Sequence, residues 1–326
     1  MIFLYGNCPS ICKLLAKLFI IQLVIILHMM STTELRIFRA LDGKSSMSEL
    51  SEKSGLDIST VSKYVSGSLE RGNGLFERRR EGKKVYVKRA DTSHSSILQT
   101  IVNEYPDWDI QELFSHSGLK ILGVLPKRIK DIVFLTGLSR QYIRSRLKKF
   151  LNVGIVKRDG SKYVLNGDLI EVSEFVNSYC LYKNEKRAKG FAEDSNILWQ
   201  MGFEFLFKTS EDIDIERTAV SRFFEYGLPI ITDKNYYYVT YRKLDVREVI
   251  LHTILVDKNS VTYNTYACLL YQKEMPEGMM ELTGIYGLEK HFEALMEFLD
   301  SRKRTKKFLP AWDEYLEIAK EYDVII

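Results

Sequence analysis

Four cysteines, six prolines and nineteen glycines are few for a chain of 326 residues. Cysteine at that level excludes a secreted disulfide framework and suits a reducing compartment, so the expected location is cytoplasmic. Low proline and glycine exclude collagenous and low-complexity sequence. The chain also lacks a Walker loop, a Rossmann glycine set, Gly-x-Ser-x-Gly and His-Glu-x-x-His, which removes the nucleotide-binding, hydrolase and zinc-protease classes that those motifs mark. Cys180 and Cys268 have no neighbouring Cys or His at ligand spacing. No metal, cofactor or enzymatic activity is therefore expected. What remains is ordinary globular composition, 45% hydrophobic and 28% charged, with length for two or three domains.

The overall charge of +4 conceals an asymmetry. Residues 1–30 hold two lysines and no acid, and residues 31–165 hold 25 basic against 15 acidic side chains. Residues 166–326 hold 20 basic against 28 acidic. A basic first half points to a polyanion, most simply nucleic acid, and the acidic second half to a different partner.

Residues 1–30 form an apolar leader, from Leu14 to Met30 interrupted by Lys17, Gln22 and His28. A signal peptide would need small residues at a cleavage site, and His28-Met29-Met30 supplies none. A membrane helix wants about 20 apolar residues, whereas the uninterrupted core runs only from Leu18 to Leu27. The third alternative is a translation start at Met29 or Met30. A membrane partner is expected only if this leader belongs to the protein and inserts.

From Thr33 the pattern becomes helical, with Leu35, Ile37, Phe38 and Leu41 as an apolar stripe. Ser46 caps a second helix that stops at Gly55, and Asp57 caps a third. Ile58, Val61, Tyr64, Val65 and Leu69 form the inner side of that third helix; Ser59, Thr60, Ser62, Lys63 and Ser66 face largely outward. After Gly72-Asn73-Gly74 the period changes to two, and a hairpin is expected across Glu81-Gly82. Residues 78–89 carry seven basic side chains, among them Arg78, Arg79, Arg80, Lys83 and Lys84, against one acid.

The unit recurs. Leu119, Ile121 and Leu122 open a helix; Ile129, Ile132, Val133 and Leu135 belong to a second; Thr136-Gly137-Leu138-Ser139 is the turn. A third helix buries Ile143, Leu147, Phe150 and Leu151 and shows Arg140, Gln141, Arg144, Ser145 and Lys148 on its other face. A ribbon with Lys157 and Arg158 turns at Asp159-Gly160. Gly55-Leu56 and Gly137-Leu138 stand at the same offset as Val61 and Ile143.

Helix, helix, turn, helix and basic hairpin is the order of a winged helix-turn-helix. On the motifs Gly-Leu-Asp-Ile-Ser-Thr-Val-Ser-Lys and Thr-Gly-Leu-Ser-Arg-Gln-Tyr-Ile-Arg, residues 33–89 and 117–165 resemble the winged domains of archaeal and bacterial regulators of the MarR and ArsR kind. The arrangement is more distantly similar to antitoxins of the AbiEi type, which pair a DNA-binding winged helix with a domain that neutralises a nucleotidyltransferase toxin. Val133 departs from the pattern, which has a small residue there. The resemblance implies double-stranded DNA as partner. The third helices would carry specificity, through Ser59, Thr60, Ser62 and Lys63 in one copy and Arg140, Gln141, Arg144, Ser145 and Lys148 in the other. The wings would hold phosphates.

The expected divisions are the leader 1–30, a first winged domain 31–92, a helical connector 93–116, a second winged domain 117–168, a helix and linker 169–190, and an α+β C-terminal domain 191–326. In the last, strands are expected at Phe203–Phe207, Leu228–Ile231 and Tyr236–Tyr241, followed by four helices. His252 reads as a core histidine and the acids Glu211, Asp212, Asp214 and Glu216 as a solvated loop. Tyr236, Tyr238 and Tyr263 are the candidate partner-binding surface, with core packing as the alternative. Function is expected to be transcriptional regulation, the C-terminal domain mediating homodimerisation, sensing or docking of a protein partner. The alternatives are an autoregulating antitoxin and, resting only on the 211–216 acids, a DNA-targeted enzyme.

Overall fold

The computed structural model describes residues 29–326, so nearly all of the apolar leader lies outside the described residues. Among the described residues no helix is long and apolar enough to cross a membrane. The fold is α+β: among the described residues helices dominate, with three small antiparallel sheets. Two compact units result, one of residues up to 122 with 149–155 and 167–176, the other of 123–148, 156–166 and 177–326.

In the first unit, α1 (Thr32–Ala40) starts at a capping box in which Ser31 and Glu34 satisfy each other's backbone amides. A short strand β1 (Ser45–Ser46) leads into α2 (Met47–Ser54), capped by Ser46 and ended by Gly55 at φ +61°. Asp57 caps α3 (Ile58–Tyr64), as its sequence position predicts. The third helix does not continue in α geometry through Leu69; Val65–Gly72 is wound as a π-helix. Ser66-Gly67-Ser68 has weak helical preference, and the wider turn still buries Val65 and Leu69 completely. Strands β2 (Phe76–Glu81) and β3 (Lys84–Arg89) form the wing, and β1 pairs with β3 to complete a sheet of order β1-β3-β2. Ile37, Phe38, Leu50, Val61, Phe76 and Val87 are buried, the Phe38 and Phe76 rings stacked at 5.8 Å. Ile58, expected inward, is half exposed at the first position of α3.

The connector holds α4 (Ser93–Glu104) and α5 (Ile110–Leu113), and after it the first unit also holds α6 (His116–Leu122), the expected opening helix of the second copy. The connector is tied down within its unit: the Tyr105 hydroxyl donates to Glu171 at 2.7 Å, and Phe114 meets Phe175 edge-on at 4.9 Å.

In the second unit, α7 (Ile129–Thr136) ends at Gly137, φ +67°, and α8 (Arg140–Val153), of which this unit holds 140–148, begins at Ser139, whose hydroxyl accepts from the Tyr142 amide at 3.3 Å. The second wing is β4 (Val156–Asp159) and β5 (Lys162–Leu165). Lys127 bridges Tyr163 of β5 through both backbone bonds, at 3.1 and 2.9 Å. That single bridge does for the second wing what β1 does for the first, and Lys127 follows Ser45 at the repeat offset of 82 residues.

The polar run Lys183–Gly190, expected as a linker, is instead the second half of a continuous helix, α9 (Ile170–Phe191). Lys, Glu, Arg and Ala are good helix formers, and buried Cys180, Asn184 and Ala188 recur every four residues to anchor it. Strands β6 (Asn196–Met201), β7 (Glu204–Thr209) and β8 (Asn235–Val239) form a sheet in that order. Leu228–Ile231 is not a strand; it follows a 3₁₀ segment, Ala219–Tyr226, while the strand that periodicity missed is β6. Helices α10 (Val246–Val256), α11 (Val261–Glu274), α12 (Met279–Tyr286), α13 (Glu289–Ser301) and α14 (Trp312–Glu321) complete the unit, one more than expected.

Gly137 has a steric reason to be glycine: an added Cβ would sit 2.7 Å from the Tyr241 ring. Gly160 has a similar positive φ, +55°, with nothing within 4 Å. Replacing either by alanine carries a left-handed backbone penalty of roughly 1–2 kcal/mol. Gly137→Ala is expected to lower the melting temperature clearly more than Gly160→Ala, since only the former must displace a ring. Equal shifts would show that Tyr241 yields without cost.

Candidate nucleic-acid interface

At the start of α3 the small hydroxyls are already engaged. Ser59 and Thr60 donate to the two oxygens of Asp57 at 2.5 and 2.7 Å, and the Thr60 amide donates to the same carboxylate at 2.8 Å. These bonds hold the Asp57 carboxyl well below the usual carboxylate range. Ser59 is exposed and Thr60 half-buried, and both hydroxyls spend their proton on the cap. Lys63 is exposed and Ser62 half-buried. The exposed Ile58 offers an apolar contact of the kind that reads a thymine methyl group.

Strand register divides the first wing's cations between two faces. Residues directly opposite in an antiparallel pair share a face. Arg78 and Arg80 therefore share one with Val87 and Val85, while Glu77, Arg79 and Glu81 share the other with Lys88, Tyr86 and Lys84. Several charges are neutralised locally: Arg78 pairs with Glu70 at 2.5 Å, Lys88 with Glu77 at 2.6 Å, and Lys44 with Glu81 at 2.5 Å. Lys44 hydrogen bonding holds the Glu81 carboxyl below its ordinary value. Arg79, Arg80, Lys83 and Lys84 are exposed and join no ion pair among the described residues. Arg80 Nε donates to the Gly82 carbonyl at 3.2 Å, which shapes the tip.

The second copy presents a cleaner cationic face. Arg140, Gln141, Arg144, Ser145 and Lys148 are all exposed on one stripe of α8, and residues 140–153 contain no acid. Arg140, Arg144 and Lys148 enter no ion pair among the described residues. Lys157 and Arg158 are exposed on β4, where the Arg158 guanidinium donates to the Tyr163 hydroxyl at 2.9 Å and lies 5.3 Å from that ring.

The turn preceding α8 is gripped by the C-terminal part of the same unit. The Tyr241 hydroxyl donates to the carbonyls of Val133, at 3.2 Å, and Phe134, satisfying the end of α7. The Arg242 guanidinium lies 4.0 Å over the Phe134 ring. Lys130 pairs with Glu281, and Lys127 Nζ donates to the Gly284 carbonyl at 3.3 Å.

Arg242 is itself held between two buried carboxylates, Glu204 at 3.2 Å and Glu248. Tyr238 and Thr240 donate to Glu204 at 3.0 and 2.5 Å, and Tyr286 donates to Glu248 at 2.7 Å. Burial pushes the Glu204 carboxyl up to about 7 despite Arg242, and Glu248 moves in the same direction for the same reason. His252, fully buried, stacks on Tyr238 at 4.0 Å and shares a 2.7 Å hydrogen bond with Thr218. Burial, with Arg242 nearby, keeps it far below the ordinary histidine value and hence neutral.

Tyr236 and Tyr238 are core residues, not a docking surface, and Tyr263 is half-buried with its hydroxyl 2.5 Å from that of Tyr236. The expected outward face does not exist, because β8 is buried on both sides. Two of the 211–216 acids are tied to arginines, Asp212 to Arg217 and Glu216 to Arg222, both at 2.7 Å. Among the described residues no group of three His, Cys, Asp or Glu comes together as a metal site. Sequence reasoning missed Glu204, Tyr241, Arg242, Glu248 and Tyr286, whose spacing carries no local signal.

Residues 212–324 match the family described as HVO_2833_C, C-terminal. No curated protein matches the chain.

Glu204 keeps its proton in the folded protein to about pH 7, but in the unfolded chain only to about 4.3. Between those values the folded state binds the extra proton, so this group's contribution to stability falls as pH rises. Glu204→Gln is expected to flatten the decline in melting temperature between about pH 5 and pH 7.5 relative to the parent. Parallel profiles would count against a buried, protonatable Glu204.

Proposed function

We propose that the protein is a double-stranded-DNA-binding transcriptional regulator that uses both winged units. The observation that carries this reading is the acid-free cationic stripe of α8, standing where a winged helix-turn-helix presents its recognition helix. Arg140 and Gln141, at the helix start, have the chemistry for bidentate contacts with guanine and adenine edges. Arg144 and Lys148 further along α8, with Lys157 and Arg158 on the wing, supply phosphate contacts. In the first copy, Lys63, Arg79, Arg80, Lys83 and Lys84 add phosphate contacts, while Ser59, Thr60 and Ile58 meet base edges. Contact with phosphates there competes with the acids that already neutralise Arg78, Lys88 and Lys44.

The C-terminal region takes the sensing role in this reading. Tyr241 and Arg242 hold the carbonyl end of α7 and the turn ahead of α8. A change in the packing of β8 and α10 would therefore reach the recognition helix through two adjacent side chains.

Binding of the full chain to its own upstream DNA across a salt series tests the reading. Each lost phosphate contact should reduce the slope of log K against log salt by roughly 0.9. Changing Arg144, Lys148 and Lys157 to Ala together should remove roughly two to three units of slope. Arg140→Ala should cost about 1–3 kcal/mol on the preferred site and relax sequence preference. Binding that is weak on every duplex and indifferent to these changes would exclude DNA as the partner of these surfaces.

A further inference from the structure

The β6-β7-β8 sheet of the second unit has one covered edge and one open edge. Beyond β8, the backbone of Glu216 and Thr218 bonds to Tyr238 and Tyr236, with Arg217 bridging Tyr237. Beyond β6 no strand pairs among the described residues. An edge of this kind is normally protected by charge, proline or a bulge. Asn196-Ile-Leu-Trp-Gln-Met201 contains no charge and no proline, and its one protecting feature is the irregularity that makes the β7 ladder skip Leu198. Alongside this edge runs an open groove of about 420 Å³, lined by residues 195–200 and, from α9, by Leu181, Glu185, Ala188 and Lys189. Leu181 is 40% exposed. Glu185 and Lys189, four residues apart on one helix face, are exposed on the rim, and neither joins an ion pair among the described residues.

We infer that a second copy of this chain docks on this edge, the two β6 strands pairing antiparallel about a two-fold axis. An isologous contact sets residue i against j and j against i. The rim is self-complementary in that sense: Glu185 of each copy meets Lys189 of its partner, two ion pairs that a single chain leaves unmade. Leu181 and Leu198 close over the seam, and the exposed backbone groups of β6 find partners as in strand addition. The inference does not depend on DNA binding.

Sedimentation equilibrium of the full chain, without DNA, tests it. The expected mass is twice 38.0 kDa at micromolar concentration. Glu185→Lys alone, and Lys189→Glu alone, should each weaken the dimer on the order of tenfold by placing like charges across the seam. The double exchange Glu185→Lys with Lys189→Glu should restore it. Leu198→Lys should give monomer, with far-UV circular dichroism confirming the fold; should it unfold, the exposed rim variants decide the matter. A monomer at all concentrations, or a dimer indifferent to both single rim exchanges, overturns the inference. So does a dimer weakened by the single exchanges but not recovered in the double one.

Discussion

The largely buried guanidinium of Arg242 is the group on which the second unit's arrangement depends. It lies against Glu204 at the start of β7, Glu248 in the first turn of α10, Tyr286 at the end of α12 and the ring of Phe134 in α7. Four elements distant in sequence thus meet at one planar cation. Removing one member of such a cluster leaves an uncompensated buried charge, at about 3–5 kcal/mol. Well-packed apolar side chains could fill the same volume without that liability. Their packing would lack direction, whereas a guanidinium between two carboxylates fixes distance and angle together. The aromatic wall around it, Tyr238, His252, Tyr286 and Trp199, excludes water and strengthens those interactions.

The two copies of the helix-turn-helix and hairpin share a backbone plan and differ in charge. Each ends its second helix at a left-handed glycine, each starts its third at a side-chain cap, and in each a residue just ahead of the second helix joins the last wing strand. In the first, carboxylates beside the wing offset much of its basic character; in the second, α8 carries cations without any acid. The count of seven basic residues against one acid in the first hairpin could not register this. Strand alternation and local ion pairing decide which cations remain available, and both are properties of the folded ribbon.

Capping and turn chemistry were the most legible features. Ser46, Gly55, Asp57, Gly137, Ser139 and Asp159-Gly160 all act where their residue types predict, because each satisfies a local backbone requirement within three or four residues. Helices α10, α11, α13 and α14 also followed from periodicity. The C-terminal strands were harder. Alternation in Tyr236–Tyr241 suggested one wet face, but β8 is buried on both sides, and a strand buried on both sides shows no useful alternation. The run from Lys183 to Gly190 looked like a tether by polarity alone, although its residues favour helix and its i, i+4 anchors Asn184 and Ala188 were in plain view. Glu204, Arg242 and Glu248 were not legible at all, since a buried ionic cluster is assembled by topology.

Local and non-local constraints meet at Gly137. The turn between α7 and α8 requires a left-handed residue whatever surrounds it, and glycine meets that need alone. The same absence of a side chain lets the Tyr241 ring approach, so that its hydroxyl reaches the last carbonyls of α7. Tyr241 is followed by Arg242, so the residue that caps the helix is one peptide from the residue that anchors the ionic cluster. A shift of the cluster would move the cap, and a shift of the cap would alter the entry angle of α8. A rigid pair of neighbouring side chains is a shorter mechanical route than a chain of packed contacts.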